Sequence, residues 1–348
     1  MPMDRPGFAV PSGHVVPGSQ RANIQRMADP ARSSAAREHQ QAVPLTATPM
    51  PPASLRLRAA KALHALSPAA VVLRRAEVKG ARAWRRSAAA RQRARLSMAA
   101  IVGQTRRAGE CEQLARLHVM EEGVREALLW RRWQVPCADA KSLERLESAA
   151  AAGRGVLLSS AHMGAYPMIP ALVNKIGSSL IVVADAWLFQ QPSPGLWGMR
   201  LAHWRNELAA VGAHAIPAKG SFSALVDLLA EGRIVYLLFD MPGRRETRFL
   251  GKPVMLADGT ARISKQSGAP VLSVHPRRIG HRVWMDVGEV LEPDAFADAV
   301  QLHAALALRH EEWILRQPQA LEDPRRAGAW EDQATATGWL LPANRSGR

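Results

Sequence analysis

The stretch Gly155-Val156-Leu157-Leu158-Ser159-Ser160-Ala161-His162-Met163-Gly164-Ala165-Tyr166-Pro167 decides how the chain is read. Its first half, Gly155 to Ala161, is a short apolar run of the kind that forms a buried strand. The run ends at His162 and Gly164, after which Tyr166, Met168, Ile169, Leu172 and Val173 recur at helical spacing. A histidine at the carboxyl end of a buried strand, beside a helix start, sits where open α/β sheets keep their chemistry. Its unperturbed pKa lies near neutrality, so His162 is the candidate general base for a hydroxyl proton. A histidine merely hydrogen-bonded at a strand end is the plainer reading.

Working outward, apolar spacing predicts helices over 109–133 and 141–151 before this strand. Further strands are expected at 179–184, 233–239, 270–274 and 282–287, with helices near 195–210, 221–231, 258–267 and 297–316. Strands alternating with helices indicate an α/β domain over 108–318, its mixed and mostly parallel central sheet flanked by helices. Residues 1–52 are rich in Pro, Ala, Gln and Arg without periodicity and read as a disordered arm or an over-called start. Residues 319–348 read as a loosely attached tail.

Charge is the dominant bulk property: 46 Lys+Arg against 30 Asp+Glu in 348 residues, formally +16. Much of the excess lies in 53–107, where Arg56, Arg58, Lys61, Arg74, Arg75, Lys79, Arg82, Arg85 and Arg86 accompany a single acid, Glu77. With leucines and valines interspersed, this segment predicts basic, partly amphipathic helices suited to an anionic bilayer surface. The alternative is a solvated helical face packing its few apolar side chains on the main domain. Phe and Tyr are scarce, and no nucleic-acid-binding signature appears, so a nucleic-acid partner is not expected. Two cysteines, Cys111 and Cys137, make no disulfide framework or metal pattern, and a reducing compartment follows. No secretory signal is evident at Met1, no run is apolar enough to span a bilayer, and the histidines share no metal-ligand spacing.

Dinucleotide, P-loop, nucleophile-elbow and zinc-protease motifs are all absent. What remains is His162 at one strand end, Lys219-Gly220-Ser221 at a helix start, and Asp240 at a second strand end. Phe249-Leu250-Gly251-Lys252-Pro253 then precedes a helix opened by Asp258-Gly259-Thr260. Lys219 is expected to hold a phosphate at the helix N-terminus with Ser221 as cap, unless the trio is simply a capped turn. Arg244, Arg245 and Arg248 fall in a Pro/Gly loop after Asp240 and meet a phosphorylated sugar or lipid headgroup, or else only solvent.

Four blocks in this order, Gly153–Gly164, Leu228–Asp240, Phe249–Pro253 and Gly259–Val271, resemble the bacterial lipid A biosynthesis (lauroyl/myristoyl) acyltransferase family, within the lysophospholipid acyltransferase-like fold. The resemblance covers roughly 90–316. It implies transfer of a fatty acyl chain from an acyl carrier protein or coenzyme A thioester to a hydroxyl of a glycolipid or lysophospholipid-like acceptor. It implies no cofactor beyond that co-substrate, and a place in the cytoplasm, peripheral on the inner face of the bacterial cytoplasmic membrane. In the family's H-x4-D/E motif an acid five positions after the histidine orients the imidazole; here that position is Pro167, and Ala165-Tyr166 replaces Asn-Trp. Asp240 is the best stand-in for the acid, with Asp185 the other candidate at a predicted strand end, or else His162 acts unaided. The competing expectation is a catalytically impaired relative that keeps the fold as a lipid- or carrier-binding protein.

Overall fold

Gly155, at the entrance to the first long strand, shows why this sequence starts a strand there. Its φ is +69°, and a Cβ on it would lie 2.4 Å from the Leu229 carbonyl oxygen, so only glycine fits. The strand that follows, β2 (Val156–Ser160), has every residue buried, as its apolar run requires. The computed structural model describes residues 41–51, 55–131, 136–192 and 194–322.

Around β2 lie β1 (Val43–Pro44), β3 (Leu180–Ala184), β4 (His214–Pro217), β5 (Ile234–Leu238), β8 (Val271–Ile279) and β9 (Arg282–Val287). They form a seven-stranded sheet of order β1-β4-β3-β5-β2-β8-β9. The inner run β4-β3-β5-β2-β8 is parallel, and β1 and β9 close the edges antiparallel. The fold is the expected mixed, mostly parallel α/β sheet flanked by helices. Crossover helices α6 (Ile169–Lys175), α7 (Leu196–Ala210), α8 (Phe222–Ala230) and α9 (Gly259–Ser267) connect the strands, and α10 (Ala299–Arg316) follows β9. Alternate residues of each strand feed two cores: Leu157, Val235 and Val271 face one side, Leu158, Tyr236 and Leu272 the other.

Three expectations are corrected. The segment carrying Arg244, Arg245 and Arg248 is not a loop but β6 (Pro242–Phe249), paired antiparallel with β7 (Lys252–Leu256). Its turn is Leu250-Gly251, both at positive φ as a two-residue hairpin turn demands. The Leu250 amide donates to Glu311 Oε2 at 2.7 Å, which holds an unfavourable leucine conformation in place. At the other boundaries, residues 41–51 contribute β1 and a Thr48 amide bond to Asn206, so the α/β unit begins before residue 53. Residues 319–322 likewise belong to the core rather than a tail: Ala320 and Leu321 are 3% and 0% exposed. The remainders of the expected arm and tail, 1–40, 52 and 323–348, lie outside the described residues.

The basic segment forms α1 (Leu55–Leu66), α2 (Ala69–Arg86) and α3 (Ala88–Val102), followed by α4 (Cys111–Leu129) and α5 (Ala140–Ala151). Val72, Leu73, Met98, Ile101 and Val102 are buried, and α2 approaches α4 so closely that a Cβ on Gly80 would meet the Met120 Cα at 2.6 Å. Its apolar stripe therefore packs on the main domain. Arg74, Arg75, Lys79, Arg82, Arg85 and Arg86 face outward on α2. The side chains of Arg56, Arg58 and Lys61 lie outside the described residues. Among the described residues no helix is long and apolar enough to cross a membrane.

Candidate active site

Strand β5 lies hydrogen-bonded beside β2 in parallel, so the residues just past their carboxyl ends meet. These are Asp240 and His162. The His162 ring Nδ1 lies 2.8 Å from Asp240 Oδ1, and the His162 backbone amide donates to both carboxylate oxygens at 3.1 and 3.2 Å. Facing the carboxylate as acceptor, Nδ1 is the donor, and in that neutral tautomer the lone pair lies on Nε2. Asp240 is 0% exposed, whereas the His162 side chain keeps 10% of its surface open, and Nε2 has no partner among the described residues. The imidazole is thus oriented at one nitrogen and accessible at the other, which is the geometry of a general base.

Local sequence explains the placement. Gly164 adopts φ +52° and turns the chain back after His162, and its amide donates to the Ala320 carbonyl at 2.8 Å. Tyr166 and buried Pro167 then open a short 3-10 turn, Tyr166–Met168, ahead of α6. The Tyr166 ring meets the imidazole edge to face, 5.0 Å between centroids, and packs against it. Asp185, the alternative acid, ends β3, one strand further from β2; its carboxylate caps the adjacent Ala186 amide.

The other expected site residues are not gathered here. Lys219 is exposed beyond β4, three strands from β2 and so about 14 Å away across the sheet. Ser221 does not cap α8: its side chain is buried and its hydroxyl donates to the Ala218 carbonyl at 3.2 Å. Arg244 and Arg248 project from the β6–β7 hairpin into solvent, and Arg245 pairs with Asp258 at 3.4 Å. No hydrogen bond or ion pair joins these five to His162 or Asp240 among the described residues. No group of three or more His, Cys, Asp or Glu side chains among those residues is arranged to hold a metal ion.

Sequence reading missed a charged cluster on the α4–α7 side of the histidine. A short strap after α10 crosses the turn: Leu321 bridges Met163, and the Glu322 amide donates to the His162 carbonyl at 2.6 Å. Glu322 lies in electrostatic reach of Arg200 on α7, whose guanidinium also feels Arg125 on α4. Burial, and then the like charge of Arg125, lower the Arg200 pKa, while Glu322 opposes the shift. Arg200 pairs with Glu126 and lies over the Trp130 ring, 5.8 Å from its centroid. The one sequence signal for the strap was the apolar character of Pro318-Gln319-Ala320-Leu321 immediately after the helix.

A model of the family described as bacterial lipid A biosynthesis acyltransferase matches residues 59–320. Phosphatidylinositol mannoside acyltransferases of two Mycobacterium tuberculosis strains, CDC 1551/Oshkosh and ATCC 25618/H37Rv, are each 27% identical over 201 residues, 52% of this chain. The matched region spans 59% of the length of these relatives. Among solved structures, the 1-acyl-sn-glycerophosphate acyltransferase PlsC from Thermotoga maritima aligns with 63% of this chain and 86% of its own, at 14% identity and a TM-score of 0.35. The family match runs from the basic helices through the His162 strand end to the strap, and the chain belongs to the bacterial lipid A biosynthesis acyltransferase family.

Proposed function

We propose that the protein transfers a fatty acyl chain from an acyl carrier protein or coenzyme A thioester to a hydroxyl of a glycolipid or lysophospholipid-like acceptor. The observation that carries this reading is the bond from the His162 ring to buried Asp240, with Nε2 left open. Nε2 takes the acceptor proton as the hydroxyl oxygen attacks the thioester carbonyl. Collapse of the tetrahedral intermediate breaks the carbon–sulfur bond, and the imidazolium returns its proton to the departing thiolate. Asp240 fixes the tautomer and stabilises the transient imidazolium, the role of the orienting acid in a Ser-His-Asp triad. It does so from the end of β5, which is how a chain with proline five residues after its histidine retains an oriented base. The family match over residues 59–320 and the acyltransferase names of the mycobacterial relatives support acyl transfer.

The exposed cations have an outer role in this proposal. Lys219, Arg244 and Arg248, exposed and not bonded to the imidazole among the described residues, attract an acidic carrier protein or an anionic bilayer rather than the reacting group. The outward arginines of α2, with exposed Val71, Val78 and Leu96, form the face that lies on the inner surface of the cytoplasmic membrane. Thioester release with a panel of acyl donors, compared between wild type and His162→Ala, tests the catalytic reading; equal rates end it. Binding to anionic liposomes that weakens with added salt tests the surface assignment.

A further inference from the structure

The His162 ring is aimed from a single peptide unit, the one joining Ala161 to His162. Its N–H is the His162 amide, which donates to both Asp240 oxygens at 3.1 and 3.2 Å. Its carbonyl, on Ala161, accepts the Met163 amide at 2.7 Å and closes a three-residue turn over His162. His162 is not among the residues at positive φ, so this is the inverse γ-turn common at strand ends. Because the unit is planar, whatever fixes the carbonyl also fixes the N–H and its line to the carboxylate. A second donor reaches the same carbonyl from within the strand: the buried Ser160 hydroxyl, at 3.4 Å.

Behind Ser160 stands a second buried hydroxyl. Tyr236 lies opposite Leu158 and Leu238 opposite Ser160, so Tyr236 and Ser160 share the face that carries Asp240 and His162 just beyond the strand ends. The Tyr236 ring is buried, and its Oη makes no aligned hydrogen bond among the described residues. Burial pushes the Tyr236 phenol well above its ordinary range; the Ser160 hydroxyl, within bonding reach, opposes that push, and the Asp240 charge adds to it. The tyrosine oxygen is thus a neighbour of both groups without an aligned bond to either. A buried polar atom short of a partner calls for a reason. Packing supplies none, since phenylalanine fills almost the same volume without stripping water from a hydroxyl. One chain gives each hydroxyl hydrogen an acceptor: Tyr236 donates to Ser160 Oγ, and Ser160 donates to the Ala161 carbonyl.

We propose that Tyr236 and Ser160 are positioning residues: their hydroxyls act as one hydrogen-bonded chain that holds the Ala161–His162 peptide, and through it the His162–Asp240 pair, in the geometry of an oriented base. The link to turnover rests on the acyl-transfer reading, whereas the positioning itself can be read in the resting protein. The test compares full-length wild type with Tyr236→Phe, Ser160→Ala, the double variant and Ser160→Thr. A hydroxyl that only packs would let Tyr236→Phe hold or raise the urea midpoint and change nothing else. The proposal expects that same midpoint with a kcat for thioester release about tenfold lower and a KM for the acyl donor within about twofold. Ser160→Ala should lose about as much, and the double variant little more than either alone, because one chain is being cut. Ser160→Thr, which keeps a hydroxyl, should retain most of the wild-type rate. In the proton magnetic resonance spectrum the His162 Nδ1–H signal is assigned by its absence from His162→Ala. It is expected to move upfield and exchange faster with water in Tyr236→Phe and Ser160→Ala, and to stay in place in Ser160→Thr. An unmoved signal in Tyr236→Phe, or additive losses in the double variant, would overturn the proposal. A moved signal in a protein without His162-dependent thioester release would leave the positioning chain standing and remove the acyl-transfer reading.

Discussion

Two histidines flank the end of β5, one on each face of the sheet, and they have opposite fates. Phe239 stacks on His310 at 4.5 Å, and the very next residue, Asp240, binds the His162 ring. His310 is 0% exposed and bonds Ser159 Oγ at 2.9 Å, and it touches His275, itself buried with both ring nitrogens unpartnered among the described residues. His303 completes that side with a 2.9 Å bond to Thr247. Burial pushes the His310 pKa down to about 3, against the opposing pull of Asp240, and burial also drives His275 well below its ordinary value. Among the described residues none of the three bonds a carboxylate; His162 bonds one and keeps an open edge. On the proposed reading, a histidine at a sheet end serves as a base only where a buried acid and solvent access coincide, and the same residue type elsewhere is packing.

The sharpest way to break this contrast is to remove the acid. Asp240→Asn keeps the shape but loses the charge and admits the wrong tautomer, so thioester release should fall by about three to four orders of magnitude. The double variant with His162→Ala should be little worse than either alone, since the two act as a unit. Steady-state rates of the three proteins check this; near-normal turnover in Asp240→Asn would remove Asp240 from the mechanism.

The opposite face answers to pH. For His310 and His275 the folded-state pKa is depressed, so below about pH 6.5 the unfolded chain binds protons that the folded chain refuses. Their stabilising effect is whole above that value and declines as the pH falls, for His310 until about pH 3. Each adds a slope of about 1.4 kcal/mol per pH unit in this window. Urea unfolding across pH 4–7 reads the slope, and His310→Gln should flatten it by about one histidine's share. An unchanged slope would mean that the ring already finds a way to be protonated in the folded state.

What the sequence disclosed follows from how local each signal is. The runs Val156–Ser160, Leu180–Ala184 and Ile234–Leu238 are apolar throughout, because parallel strands are covered on both faces, and they could be read directly. β6, with three arginines and a glutamate in eight residues, is a strand because it pairs with β7 across the Leu250-Gly251 turn, not because of its own composition. Asp240 and Asp185 both end strands in the sequence, with Asp240 the preferred stand-in for the missing acid. The order β3-β5-β2 separates them by putting β5, not β3, next to the histidine strand. Glu322 was illegible for a different reason: it approaches His162 from 160 residues along the chain, with only a brief apolar run to announce the crossing.

A smaller effect tests how the scaffold holds the site. Gly155→Ala forces a Cβ toward the Leu229 carbonyl at a positive φ, directly ahead of the histidine strand. It should destabilise the fold by about 2 kcal/mol while leaving the pH slope of stability unchanged. A shift in the urea midpoint at constant slope of the unfolding transition is the expected result. A loss of turnover without loss of stability would show instead that the strand entrance tunes the base.

The smallest effects belong to the charges outside the site, and their pattern matters more than their size. If Lys219, Arg244 and Arg248 attract the acyl carrier from the rim, the triple change to glutamate lowers kcat/KM at low ionic strength by about tenfold and leaves kcat nearly untouched. The deficit should shrink as salt rises past the concentration at which charges about 8–10 Å apart are screened. Catalytic contacts behave otherwise: desolvated pairs such as His162–Asp240 are screened far less by added salt. A salt-independent fall in kcat in the triple variant would therefore move these three cations from the rim to the reacting centre, and with them the boundary between the two regions.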